Sequence, residues 1–193
     1  MLLNKKFVLL LALVSLFLCV ITLQDTYAKY TSSLNETTNL NVARWRILVN
    51  DYDIKSNAAT SNLITPVFAG TENISSGVIA PTATGYFDII IDSTGTDLSF
   101  LYDISIANSE DSLVSDIVVK RCTLNEEDVS FTNNQVTGTI SLSNPLKVNT
   151  LRVYIEWNDG DGSNMNNQED TSVTLESDAV AKISVTARFI QTV

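Results

Sequence analysis

The chain has 193 residues, with 12 basic and 22 acidic side chains, a formal charge of −10, two Cys and no His. A surface this acidic repels phosphate backbones, so nucleic-acid binding is set aside. Without His the chain lacks the commonest general base and the commonest zinc ligand, and several enzyme classes fall with them.

At the N-terminus, Lys5-Lys6 precede an apolar run over residues 7–23, and a polar stretch then closes on Thr26-Tyr27-Ala28. This is the layout of a signal peptide spanning 1–28, with small residues at Thr26 and Ala28 where a signal peptidase wants them. The run lies at the lower limit of what spans a bilayer, so membrane contact is expected only through an uncleaved signal segment. Cys19 follows Leu18 rather than a small residue, which argues against lipidation. Removal of 1–28 takes away Lys5, Lys6 and Asp25 and leaves 165 residues of charge −11. Cys122 is then the sole Cys, so no intramolecular disulfide forms and the domain must hold itself together by its core.

Residues 29–41 (KYTSSLNETTNLN) are polar, rich in Thr, Ser and Asn, and read on composition as an N-terminal tail. Beyond them a period of two recurs, the signature of half-buried strands. The segment 43–50 places Trp45, Ile47 and Val49 on one side. After turn formers at Ala69-Gly70 and Ala80-Pro81, the segment 86–92 does the same with Phe87, Ile89 and Ile91. Thr94-Gly95-Thr96 makes a turn into the clearest strand, where Leu98, Phe100, Tyr102, Ile104 and Ile106 alternate with Ser99, Leu101, Asp103 and Ser105. Polar residues 109–116 follow, then less regular strands at 117–124 and 136–142, separated by Asn133-Asn134. Leu151, Val153, Ile155 and Trp157 alternate with Arg152, Tyr154 and Glu156. The turn Asp159-Gly160-Asp161-Gly162 and a polar stretch at 165–171, suited to a short helical turn or loop, lead to a last strand. There Ala181, Ile183, Val185, Ala187 and Phe189 share a face. Seven or eight short strands without helical crossovers predict an all-β fold, an antiparallel β-sandwich of jelly-roll type, as a single domain over 42–193.

Little of this carries recognisable chemistry. There is no nucleophile elbow, phosphate loop, dinucleotide fingerprint or zinc-spaced Cys pair. The carboxylate pairs Asp51/Asp53 and Glu126/Glu127 are what any acidic β protein offers, and no catalytic residue is assigned. Trp45 and Trp157 fall on the apolar registers of their strands and are expected in the core rather than stacked on a ligand. Asp159, Asp161 and Ser163 occupy the first, third and fifth places of a calcium loop, with Asp170 at the twelfth. Against that reading, the sixth place is Asn164 rather than Gly, the twelfth is Asp rather than Glu, and the flanks read as strand. A solvated turn that uses Gly and Asp for its backbone geometry is the simpler account, and no other cofactor is expected.

The order of features resembles the camelysin and TasA-like family of exported Gram-positive proteins. The residues that carry the resemblance are TYAKYTSS at 26–33, Ile79-Ala80-Pro81-Thr82, GYFDIIID at 85–92, Thr94-Gly95-Thr96 and Tyr102. Trp157-Asn158-Asp159 and Asp170-Thr171 are similar to late features of such proteins, whereas Thr82 stands where the family more often has Gly. The resemblance implies export through a dedicated signal peptidase, a jelly-roll domain, and self-association into biofilm-matrix or cell-surface fibres. In such fibres the N-terminal segment of one subunit completes a sheet of the next, a role the resemblance gives to residues 29–41. Some relatives carry a metalloprotease label, which a chain without His does not inherit. The expectation is a secreted, non-enzymatic structural protein. The alternative is a monomeric binding module that holds a glycan or protein through a loop face, with calcium at 159–170.

Overall fold

The computed structural model describes residues 4–30, 41–56, 64–160, 162–176 and 180–192, with the backbone alone for 23–30. By contacts the chain divides into two compact units, Met1–Val42 and Ala43–Val193.

The first unit contains one helix, α1 (Lys5–Tyr30). Its stretch Lys5–Thr22 is long and apolar enough to cross a membrane by length and composition, and none of it is buried in the structure. Phe7, Leu9, Leu11, Leu13, Leu16 and Phe17 all face outward, which in a water-soluble helix would be costly. Such a helix is compatible with a signal sequence.

The second unit is a β-sandwich. A six-stranded sheet runs in the order β2 (Tyr52–Asp53), β1 (Leu48–Val49), β3 (Thr84–Asp92), β8 (Val148–Trp157), β5 (Ile117–Leu124) and β6 (Glu127–Val129). A three-stranded sheet runs β7 (Gln135–Ile140), β4 (Phe100–Asn108) and β9 (Ile183–Gln191). All pairings are antiparallel.

Alternation sets the two inner faces. Phe87, Ile89 and Ile91 on β3 and Leu151, Val153, Ile155 and Trp157 on β8 are fully buried, and they share one core with Phe100, Tyr102, Ile104 and Ile106 of β4. Trp157 is buried as expected, while Trp45 is half-buried and meets Phe100 edge-on at 5.9 Å between ring centres. On the outer face of the large sheet, directly opposed Asp88 and Arg152 form a two-pronged pair, with both N–O distances 2.8 Å. The Arg152 guanidinium lies 4.1 Å from the centre of the Tyr86 ring, a cation–π contact that helps hold register.

Several differences from the sequence reading have local causes. The expected strand over 43–50 pairs only at Leu48–Val49, because Arg44 is occupied across a loop: its backbone N–H and side chain donate to Asp97, and Asp97 N–H donates back to its carbonyl. In β5 the register shifts between Val119 and Arg121, so Ile117 faces inward before the bulge and Cys122 after it. The turns into β2 and β6 use left-handed residues without Gly, at Asn50-Asp51 and Asn125-Glu126, the pattern of tight hairpins. Glu126 and Asp51, two of the carboxylates considered for catalysis, are thus turn residues.

Candidate functional site

Two features stand out: an acidic cleft beyond the end of β8, and the outer edge of β9.

The cleft begins where β8 runs out at Trp157. Asn158 N–H donates to the Asp116 carbonyl at 2.8 Å, which turns the chain across the start of β5. Asp116 is 2% exposed, and its two carboxylate oxygens accept from Asn164 N–H at 2.6 Å and Met165 N–H at 2.8 Å. One buried carboxylate therefore clamps the far side of the acidic loop, with charge-assisted bonds of the stronger kind. The next residue, Asn166, is the N-cap of the helix α2 (Asn167–Thr174). Asn166 caps it by accepting from Gln168 N–H and Glu169 N–H, while Glu169 accepts from Asn166 N–H at 2.9 Å.

Inside the first turn of α2 sits Asp170, only 4% exposed and the one buried residue of that helix. Its Oδ1 is buried without a hydrogen-bond donor, and so is the Nε1–H of Trp157 without an acceptor. The two orphans face each other: the Trp157 indole N–H approaches the Asp170 carboxyl as a hydrogen-bond donor, short of good hydrogen-bond geometry. Burial raises the pKa of Asp170, Trp157 pulls it back, and the neighbouring charges of Asp159 and Asp116 push it further up. Pro81, Asp159, Asn167, Asp170, Thr171 and Thr174 line the resulting cleft of about 310 Å³.

Of the four residues considered as calcium ligands, the structure brings Asp159 and Asp170 together. Ser163 is half-buried and does not line the cleft, with its N–H donating to the Gly160 carbonyl at 3.1 Å. Asp161 lies outside the described residues. Among the described residues no cluster of three His, Cys, Asp or Glu assembles at ligand distance. Asp116, which organises the loop, has no periodic or motif signature in the sequence. The Asn166-x-x-Glu169 box marks the helix start within the stretch 165–171 that the sequence suits to a helical turn or loop.

At the second feature, β9 pairs with β4 from Phe100↔Gln191 to Asn108↔Ile183, and among the described residues its other edge pairs with nothing. Its inward-facing Ile183, Val185 and Phe189 are only half-buried and Ala187 is exposed, although Tyr102, Ile104 and Ile106 opposite them are buried. The large sheet, by contrast, ends in strands of two and three residues, β2 and β6. Short edge strands offer little backbone to a neighbour, whereas a nine-residue edge offers a full ladder.

No protein-family model matches the chain, and no curated protein matches it.

Proposed function

We propose that the protein is an exported, non-enzymatic structural subunit, of the camelysin and TasA-like kind, that self-associates through strand addition at β9. The observation that carries the reading is the edge itself: nine residues whose outer backbone groups lack a ladder among the described residues, with inward apolar side chains half-covered. An added strand would bond those N–H and C=O groups and cover Val185 and Phe189. Residues 29–41 are the proposed donor; they contain no Pro or Gly, so an extended strand is permitted, and Tyr30, Leu34 and Leu40 supply apolar contacts. Residues 31–40 lie outside the described residues. The apolar N-terminal helix supports export, with the signal peptidase as a transient partner and the cell surface or extracellular matrix as destination. A jelly-roll connection of the two sheets belongs to the same proposal.

The test compares the chain from Lys29 to Val193 with one beginning at Asn41, followed by light scattering and electron microscopy over concentration. Filaments from the longer chain alone support strand donation. Filaments from both, or from neither at any concentration, overturn it. The acidic cleft favours a second reading, a monomeric binding module whose ligand is held at the loop following β8; a stable monomer in both chains points there.

A further inference from the structure

We propose that Asp170 is a proton-operated latch: with its carboxyl protonated it seats α2 against the end of β8, and on losing that proton it releases the helix and opens the cleft. The observation behind it is the surroundings of a buried side chain. Asp170 is 4% exposed, and none of the ion pairs among the described residues reaches it. The charges that act on it are both negative, Asp159 from the loop after β8 and Asp116 from the segment before β5. The other residues lining the cleft, Pro81, Asn167, Thr171 and Thr174, carry no charge. A carboxylate buried without a cation is costly, and the neutral acid is the state that avoids the cost. The geometry gives the proton a place. Asp159 approaches Asp170 as a hydrogen-bond partner, which two carboxyl groups achieve only when one of them donates, and the Trp157 indole offers its N–H to the same Asp170 carboxyl.

The latch operates because little else holds α2. The helix has eight residues, too few to be stable alone in water, so it depends on what it is docked to. Asp170 is its one buried residue; Val173 adds a half-buried contact to the core, and the remaining side chains are exposed. Ionisation places a charge in that one buried contact, beside two others of the same sign. Movement of α2 into water hydrates the charge and separates it from its neighbours. Meanwhile the Asp116 clamp on the Asn164 and Met165 amides keeps the preceding loop in place. Between the ordinary carboxylate pKa and the raised one, the docked state holds a proton that the released state does not. Docking is therefore complete below the ordinary carboxylate pKa and is lost as pH rises through the raised one.

The experiment uses the full chain in a non-ionic detergent and follows hydrogen exchange of the α2 amides by NMR from about pH 4 to about pH 8, as protection relative to the unfolded chain at each pH. The Asp170 N–H, which donates to the Asn166 carbonyl at 3.0 Å, is the central reporter. Its protection should fall at least about tenfold as pH rises, while the amides of β8 keep theirs. Asp170→Asn fixes the neutral form, with an NH2 group to donate toward Asp159 and a carbonyl to accept from Trp157, so its α2 should stay protected throughout. Asp159→Asn removes one of the two like charges and should shrink the fall. If circular dichroism shows that Asp170→Asn does not fold, the exposed Asp159→Asn decides alone. No fall in the wild type, the same fall in Asp170→Asn, or a fall in Asp159→Asn as large as that of the wild type overturns the latch.

Discussion

Asp116 makes the sharpest quantitative demand of the structure. Truncating it to Ala removes both acceptors for the Asn164 and Met165 amides while the loop and α2 stay otherwise unchanged. Hydrogen bonds to a charged group contribute about 1.5–3 kcal/mol each, which sets an upper bound near 6 kcal/mol for the pair. Asn164 is exposed and water reaches its amide once the carboxylate is gone, so the expected loss is about 2–4 kcal/mol. Asp116→Asn keeps one acceptor but turns an NH2 group toward the second amide, and should lose about half as much. Urea denaturation followed by circular dichroism measures both. For a domain of this size each kcal/mol lowers Tm by about 2–4 °C, so the Ala variant should melt well below the wild type. Hydrogen exchange adds a local readout, since the Asn164 and Met165 amides should lose protection in both variants. A loss under about 1 kcal/mol for Asp116→Ala, or unchanged protection at those two amides, refutes the clamp.

The other expectations are simpler. Thr82 sits at φ +68°, a left-handed conformation that costs a β-branched residue about 1–2 kcal/mol, partly offset by the entropy a Gly would lose there. Thr82→Gly should therefore stabilise the protein by about 1 kcal/mol in urea titration, and a destabilised variant would show that the Thr side chain is held by contacts outweighing the strain. Burial pushes the Cys122 thiol up to about 11, so alkylation at pH 8 should spare the Cys122 peptide in mass spectra until denaturant is added. Rapid native labelling would place that strand outside the core. Arg44 donates two side-chain hydrogen bonds to Asp97 and holds its carboxyl well below the usual range. That contribution is complete above the ordinary carboxylate pKa and is lost as pH falls through the lowered one, so Asp97→Asn should flatten the acid limb of the stability curve. Parallel limbs for the two proteins would show that the exposed pair contributes nothing.

How far the sequence discloses this architecture depends on what alternation reports. It reports burial, and so β3, β4, β8 and β9 are legible almost to their ends. It does not report partners. Trp45, Ile47 and Val49 alternate like strand residues and turn toward the core to different degrees, yet only Leu48–Val49 finds a ladder because Arg44 is engaged with Asp97. It also fails where the backbone adds a residue: the bulge at Lys120 changes the parity of β5 and blurs its pattern. The hairpin turns at Asn50-Asp51 and Asn125-Glu126 have neither Gly nor Pro nor the paired Asn that marks Asn133-Asn134, so composition does not set them apart from the strands they join. In the cleft, Asp159 and Asp170 are visible as acidic residues of one segment. That Asp170 is buried beneath Trp157's strand end follows only from how β8 and α2 meet, a tertiary fact without a local mark.

The unequal edges of the two sheets bear on the symmetry of any assembly. A contact in which β9 of one subunit receives the leading segment of another is heterologous, since the two surfaces involved differ. Such a contact does not close on a two-fold axis; repeated, it generates an open chain with unlike ends. In the proposed fibre one end would display a vacant β9 and the other an unengaged leading segment, so growth would have a polarity. A subunit beginning at Asn41 accepts a neighbour but has nothing to pass on. Added in small amounts to subunits beginning at Lys29, it would cap the end with the free leading segment and leave the vacant-β9 end growing, so fibres should shorten and grow from one end only.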